Sequence, residues 1–256
     1  MNDTRSDIKH SLGSDWFLVA FGGLYPIVYA HRTVEDAIPE AVFAAKAVAL
    51  TSIDKALDLC CGTGRHLVTL ERYGASLTGV DYSPQLLAMA RRQVSSATDL
   101  VRADMRALPM CGCFDVVFSF FTSFGYFMDD KDNIAAATNM ACTLKPSGRF
   151  FMDYLNPLSL EQHLQPETVR ESCGYTILEK RWIDHEHRRV NKTISVSCDG
   201  MLTGRTSESV RLYTLEELTA LLQDAGLQVS NVWGDYSGGA YDKDAERMIL
   251  TGRKPV

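Results

Sequence analysis

Residues 57–66 read Leu-Asp-Leu-Cys-Cys-Gly-Thr-Gly-Arg-His, a glycine-spaced turn between an apolar run and a helical pattern. Glycines there let the backbone reverse sharply and approach a ligand, and the helix that follows offers free N–H groups. Alone, the turn is shared with dinucleotide folds and with strand-to-helix turns that bind nothing. The next apolar run ends in Gly79-Val80-Asp81-Tyr82. Asp81 follows Gly64 at the spacing of a carboxylate that receives two ribose hydroxyls. Both hydroxyls donate, and a charged acceptor makes the stronger bonds. A plain loop acid beside a helix cap fits less well with its place at a strand's C-terminal edge. Tyr82 is placed to cover an adenine face. After a third run come Arg102-Ala103-Asp104-Met105-Arg106, where Asp104 can accept from an adenine amino group and the Met105 N–H can meet a ring nitrogen. A fourth run leads into Phe120-Phe121-Thr122-Ser123-Phe124-Gly125-Tyr126.

These residues share a ligand only if four strand ends lie along one sheet edge, where open α/β folds bind. From Ser52 to Asp153 short apolar runs alternate with helical patterns, the mark of βαβ units and a parallel sheet. The runs predict strands over Lys55–Cys60, Ser76–Val80, Leu100–Arg102, Phe114–Phe120 and Gly148–Asp153. Ser83-Pro84 predicts a helix start and Gly74 a helix stop. A helix over Asp129–Leu144 ends at the turn signal Lys145-Pro146-Ser147-Gly148. Beyond Pro157 the pattern changes. Val190, Ile194, Val196 and Cys198 share one face of an alternating strand and Asn191, Thr193, Ser195 and Ser197 the other. With Tyr175–Ile183 and Thr206–Tyr213 this reads as an inserted antiparallel sheet, since one apolar face cannot stand alone. Thr214-x-x-Glu217 is a capping box for a helix stopped by Gly226, and strands follow at Leu227–Trp233 and Met248–Gly252. Thr33-x-x-Asp36 caps a helix containing Pro39.

The 256 residues suit one α/β core with appended segments, and a net charge of −6 weighs against a dedicated nucleic-acid binder. Seven cysteines include no Cys-x-x-Cys pair, so zinc ribbons and thioredoxin-type motifs are excluded. The cysteines read as small core residues of a reducing compartment, and the location as cytoplasmic. Trp16–Ala30 is apolar but too short to span a membrane, and Gly22-Gly23 and Pro26 interrupt it. Asp3, Asp7 and Asp15 spoil it as a signal peptide. It reads as a helical flap. His185-x-His187 has chelating spacing but no third ligand, so no metal is expected.

Taken together, Asp-x-Cys-Cys-Gly-Thr-Gly-Arg-His, Gly-Val-Asp-Tyr-Ser-Pro and Ala-Asp-Met closely resemble the class I S-adenosylmethionine-dependent methyltransferases. Arg211-Leu212-Tyr213-Thr214 and the elements after it extend the resemblance over most of Ser52–Val256. One departure is Cys60, where the family has the loop's first glycine. The resemblance implies a doubly wound, mostly parallel seven-stranded sheet with one antiparallel strand near its end. An N-terminal helical lid over 1–50 would precede a methyltransferase domain over 51–256, with 157–213 as a substrate-covering insertion. S-adenosyl-L-methionine would be the cofactor and S-adenosyl-L-homocysteine the product. Asp58, Cys61, Gly62 and Gly64 would surround its methionine and ribose portion, Asp81 and Tyr82 the nucleoside, Asp104 and Met105 the adenine, and Phe121 the methionine tail. Arg32 is a candidate for the cofactor carboxylate.

The expected reaction is in-line methyl transfer to a small molecule, at N, O or C, which asks mainly for positioning. A base is needed only if the acceptor arrives protonated, and His31, Tyr126, Asp153 and Tyr236 are the candidates. Tyr25, Tyr126, Arg181 and Arg211 are candidates for binding the acceptor. The partner expected is that small molecule, without nucleic acid or membrane, for a monomer or homodimer. Three alternatives stay open. A dinucleotide-dependent oxidoreductase would want a third glycine where Leu67 stands. A nucleic-acid or protein methyltransferase is the second, though the chain has Phe-Phe-Thr-Ser where amino-group DNA enzymes carry Asn/Asp-Pro-Pro-aromatic. A regulator that binds the cofactor without catalysis is the third.

Overall fold

The computed structural model describes residues 16–256. Asp3, Asp7 and Asp15 lie outside them. The chain forms two compact units. The larger comprises Arg32–Gly125, Asp129–His163 and Leu212–Val256, and the smaller, among the described residues, comprises 16–31, Tyr126–Met128 and Leu164–Arg211.

In the larger unit the strands are β1 (Lys55–Leu59), β2 (Ser76–Asp81), β3 (Asp99–Arg102), β4 (Phe114–Ser119), β5 (Leu144–Leu155), β10 (Gln228–Trp233) and β11 (Arg247–Arg253). They form one seven-stranded sheet in the order β10-β11-β5-β4-β1-β2-β3, in which β11 runs antiparallel to both its neighbours. This is the expected doubly wound sheet with one reversed strand. Ala56, Val116, Phe118 and Phe151 bury one face beneath α3 (Val34–Ala47) and α4 (Arg65–Leu70). Leu57, Val117, Phe150 and Met152 are equally buried, so both faces are covered and the strands read as continuous apolar runs.

Local signals set the helix ends. Thr33 and Asp36 form the capping box of α3, and Ser83 accepts from the Leu86 N–H ahead of α5 (Pro84–Gln93). Asp129 caps α6 (Asp130–Thr143), and the Thr214–Glu217 box starts α8 (Leu215–Asp224). Each such cap contributes about 1 kcal/mol. The predicted turn at 145–148 became an irregularity inside β5 instead. The ladder jumps from Phe114↔Leu144 to Val116↔Arg149, with Ser147 in left-handed backbone at φ 63°. The short helix α7 (Pro157–His163) had no strong sequence signal.

The smaller unit holds α1 (Trp16–Ala20), α2 (Tyr25–Val28) and a four-stranded antiparallel sheet of β6 (Glu167–Ser172), β7 (Tyr175–Asp184), β8 (Arg189–Cys198) and β9 (Met201–Arg211). Its core joins Val28 and Tyr29 to Ile177, Ile194 and Val196. The predicted alternation holds only in the second half of β8. In the first half Arg189 and Asn191 are buried, because Arg189 donates to the Phe127 carbonyl at 3.0 Å and to Ser209 Oγ at 2.7 Å. β6 escaped the sequence reading because Glu-Thr-Val-Arg-Glu-Ser offers no apolar face.

Candidate active site

β1 and β2 are parallel neighbours, with Leu59 paired to Val80, so the glycine turn and Asp81 emerge side by side. The Cys61 N–H reaches across to the Val80 carbonyl at 2.9 Å. Cys60, Gly62 and Gly64 all take left-handed backbone, at φ 64°, 55° and 80°. A side chain in that region costs on the order of 1–2 kcal/mol, so Cys60 tolerates a conformation that glycine would take freely. A β carbon on Gly79 would lie 2.7 Å from Leu67 Cδ1 and 2.9 Å from Cys61 Sγ, so a larger residue beneath the turn would have to push both side chains aside. At Gly62 a β carbon would meet nothing within 4 Å, so open space faces the turn there.

Asp81 joins these parts. Its Oδ2 accepts from the Gly62 N–H and its Oδ1 from the Ser83 N–H, each at 2.8 Å. Burial raises its pKa against the pull of those N–H groups. Each oxygen has a further lone pair to offer a hydroxyl. Asp58 is 2% exposed, and its Oδ2 is a buried atom without a hydrogen-bond partner. Burial, reinforced by Asp81 and opposed by Arg65, pushes its carboxyl up to about 8. A buried acid in that condition is ready for a cationic partner. Burial likewise pushes the Cys60 and Cys61 thiols up, which keeps both neutral. Tyr82 is half-exposed, with the Arg102 guanidinium 5.4 Å from its ring centroid.

Asp104 is held by its neighbour. Arg106 donates to it through the main chain at 2.8 Å and through a guanidinium fork at 2.7–3.1 Å. Burial raises its pKa, but these bonds outweigh burial and leave the carboxyl below its ordinary range. Arg106 also reaches Asp132 on α6 at 2.8 Å. Met105 is buried, its sulfur 3.8 Å from Cys60 Sγ.

At the end of β4 the Phe121 ring carries guanidiniums from Arg32 and Arg65 at 4.6 Å and from Arg247 at 5.2 Å. Glu40 on α3 accepts from Arg65 at 3.1 Å and pairs with His66 Nε2 at 2.7 Å. His66 stacks on Phe120 with centroids 3.9 Å apart, and burial pulls its pKa down to about 4, so the imidazole is neutral. Asp153 and Tyr236, both read as possible bases, are bonded to one another at 2.6 Å. Burial, followed by the Asp153 charge, raises the Tyr236 hydroxyl well above its ordinary value. Sequence reasoning missed Glu40, Arg65, His66, Thr122 and Arg247. Arg65 and His66 adjoin Gly64 and were findable there. Glu40 and Arg247 are one charged residue among many until the chain folds.

The structure therefore brings Asp58, Cys61, Gly62, Gly64, Asp81, Tyr82, Asp104, Met105, Phe121, Arg32, Asp153 and Tyr236 into the larger unit. Tyr25, His31, Tyr126, Arg181 and Arg211 belong to the smaller one. There Tyr126 packs on Trp16 and Phe21 at 5.6 and 5.4 Å, and Tyr25 on Tyr29 at 4.7 Å, with His31 6.0 Å from Tyr29. Arg181 pairs with Glu179, and Arg211 donates to the Arg188 carbonyl at 3.2 Å. At the β7–β8 turn His187 pairs with Asp184 at 3.0 Å, and with Glu186 their ligand atoms lie within 4.8 Å of one another. Among the described residues His185 is not part of that trio. Cys111 and Cys142 form a disulfide, and Cys113 and Cys173 are exposed, which corrects the reading of the cysteines as small core residues of a reducing compartment. No described helix is long and apolar enough to cross a membrane.

Comparison with known proteins gives a match to the family described as methyltransferase domain over residues 56–148. The cypemycin N-terminal methyltransferase of a Streptomyces species is 26% identical over 200 residues, 76% of this chain and 80% of that protein. The dTDP-3-amino-3,4,6-trideoxy-alpha-D-glucopyranose N,N-dimethyltransferase of Streptomyces venezuelae is 29% identical over 192 residues, covering 71% and 78% respectively. Among solved structures, an S-adenosylmethionine-dependent methyltransferase from Clostridium acetobutylicum shares the fold over 99% of this chain and 100% of its own. Its TM-score is 0.76 at 18% identity.

Proposed function

Because the chain is a class I S-adenosylmethionine-dependent methyltransferase acting on a small molecule, we propose that the atom it methylates is an amine nitrogen. The N,N-dimethyltransferase of Streptomyces venezuelae, whose name carries an amino sugar, supports this reading. The observation that carries the cofactor site is the junction of β1 and β2. There a buried Asp81 ties the open Gly62 turn to the helix cap, beside an Asp58 oxygen that nothing satisfies.

Asp81 would receive the ribose hydroxyls, Asp58 would face the cationic end of the amino-acid tail, and Arg32 would take its carboxylate. Asp104, fixed by Arg106, and Met105 would border the adenine. The bound cofactor supplies an electrophilic methyl on a sulfonium. The protein's part is to align an acceptor lone pair behind that methyl and exclude water, which can lower the barrier by about 7–11 kcal/mol. Asp153 and Tyr236 are committed to each other, so neither is proposed to remove a proton. A monomer or homodimer in the cytoplasm, without nucleic acid as acceptor, completes the proposal. The Cys111–Cys142 bond pulls the other way on location, since disulfides persist in oxidising compartments.

The test is calorimetry with S-adenosylhomocysteine. Asp81→Ala loses two charge-assisted bonds and should bind about 100-fold more weakly. Unchanged affinity would remove the site. A screen of small amines with methyl-labelled cofactor, read by mass spectrometry, tests the acceptor. Labelling confined to hydroxyl or carbon acceptors would reject the amine.

A further inference from the structure

Phe121 and Thr122 follow β4 and both stand in left-handed backbone, at φ 55° and 60°. Side chains other than those of glycine, asparagine and aspartate rarely adopt it, and a β-branched threonine there is an outlier. Two in succession persist only where the surroundings over-determine them, as happens at functional sites.

The surroundings here converge on Asp153 of β5. Its Oδ2 accepts from the Phe121 N–H at 2.7 Å, and its main-chain carbonyl accepts from the Thr122 N–H at 3.0 Å. Arg247 of β11 donates through Nε to Asp153 Oδ1 at 2.7 Å and through Nη2 to Thr122 Oγ1 at 2.8 Å. The Tyr236 hydroxyl, from the loop after β10, donates to Oδ2 at 2.6 Å. The Asp153 side chain is 0% exposed, so its acceptor capacity is spent inward. In this backbone the Phe121 ring lies against the guanidiniums of Arg32 and Arg65. Glycine at 121 would relieve the backbone but delete the ring.

We infer that Asp153 is a positioning residue for cofactor binding. With Tyr236 and Arg247 it holds the Phe121–Thr122 turn in its unfavourable conformation, and the turn sets where Phe121 borders the bound cofactor. The inference rests on the reading of the strand ends as the cofactor site.

Glycine adopts φ near 60° without penalty, which makes rescue at Thr122 the deciding measurement. By calorimetry Asp153→Asn should bind S-adenosylhomocysteine about 10-fold more weakly, and adding Thr122→Gly should recover most of that loss, a coupling expected of residues that share one turn. Tyr236→Phe removes one donor and keeps the ring; a smaller loss, again recovered by Thr122→Gly, is expected should Asp153→Asn fail to fold. Hydrogen exchange at the Phe121 and Thr122 amides should quicken in the single variants. Asp153 and Tyr236 variants that melt lower yet bind like the parent, or losses that Thr122→Gly does not recover, would overturn the inference alone. A parent that fails to bind S-adenosylhomocysteine would overturn the cofactor site and this inference together.

Discussion

At the residue scale Asp58 is the group whose proton should report cofactor binding. Its carboxyl titrates at about 8 when folded against an ordinary 3.8. A raised acid contributes stability that is complete below the lower value and is lost as pH rises through the higher one. The ligand-free protein should therefore weaken with rising pH, while its affinity for a ligand bearing an ammonium group should strengthen. Asp58→Asn removes both slopes. The ligand-free variant should melt above the parent near pH 8, with the gap closing as the pH falls toward 3.8. Its S-adenosylhomocysteine affinity should drop about 10-fold and become flat with pH. Melts and calorimetry across the range decide it, and a parent affinity that ignores pH would refute the assignment. Asp81 and Asp58 were both visible in the sequence as acids at strand ends. Their opposite conditions, one satisfied by two N–H groups and one orphaned, follow from burial that no spacing reveals.

At the element scale, the segment after Met105 is pinned along one face of α6. Arg106 pairs with Asp132, the Leu108 N–H and the Arg106 carbonyl meet the Asn139 amide at 3.2 and 2.8 Å, and Cys111 bonds Cys142. Positions 132, 139 and 142 recur at helical spacing. Closing a loop of sequence separation 31 restricts the unfolded chain and should stabilise the protein by about 3–4 kcal/mol. Denaturant midpoints with and without reductant should differ accordingly, with faster exchange over 103–113 once the bond opens. Equal midpoints would show that the bond is absent in solution. Nothing in the sequence paired these two cysteines, because pairing depends on the end of α6 meeting the residues before β4. The capping boxes, by contrast, were legible to the residue, since a cap needs only its own four residues.

Over the whole molecule, two units divide the chain in a way its order does not suggest. Tyr126–Met128 belong with the N-terminal aromatics, as the Trp16 Nε1 donates to the Tyr126 carbonyl at 3.2 Å. The residues proposed to hold the cofactor all fall in the larger unit, so ligand linkage should act there. S-adenosylhomocysteine at about 100 times its Kd should stabilise that unit by about 2.7 kcal/mol. Hydrogen-exchange protection should centre on residues 57–66, 79–83 and 103–106. Protection confined to the four-stranded sheet instead would move the site to the smaller unit. The boundary drawn at residue 50 from sequence differs from the division at Arg32, because α3 carries Ala41, Ala44 and Ala45 into the main core.

Read as a string, the chain determined its sheet, its caps and the cofactor its strand ends would hold. Those depend on hydrophobic period and on residues adjacent in sequence. Only tertiary structure decided that Asp153 bonds the Phe121 and Thr122 main chain, that Glu40 holds Arg65 and His66, and that Cys111 meets Cys142. Each joins residues tens of positions apart, whose partners are chosen by how the strands and helices pack.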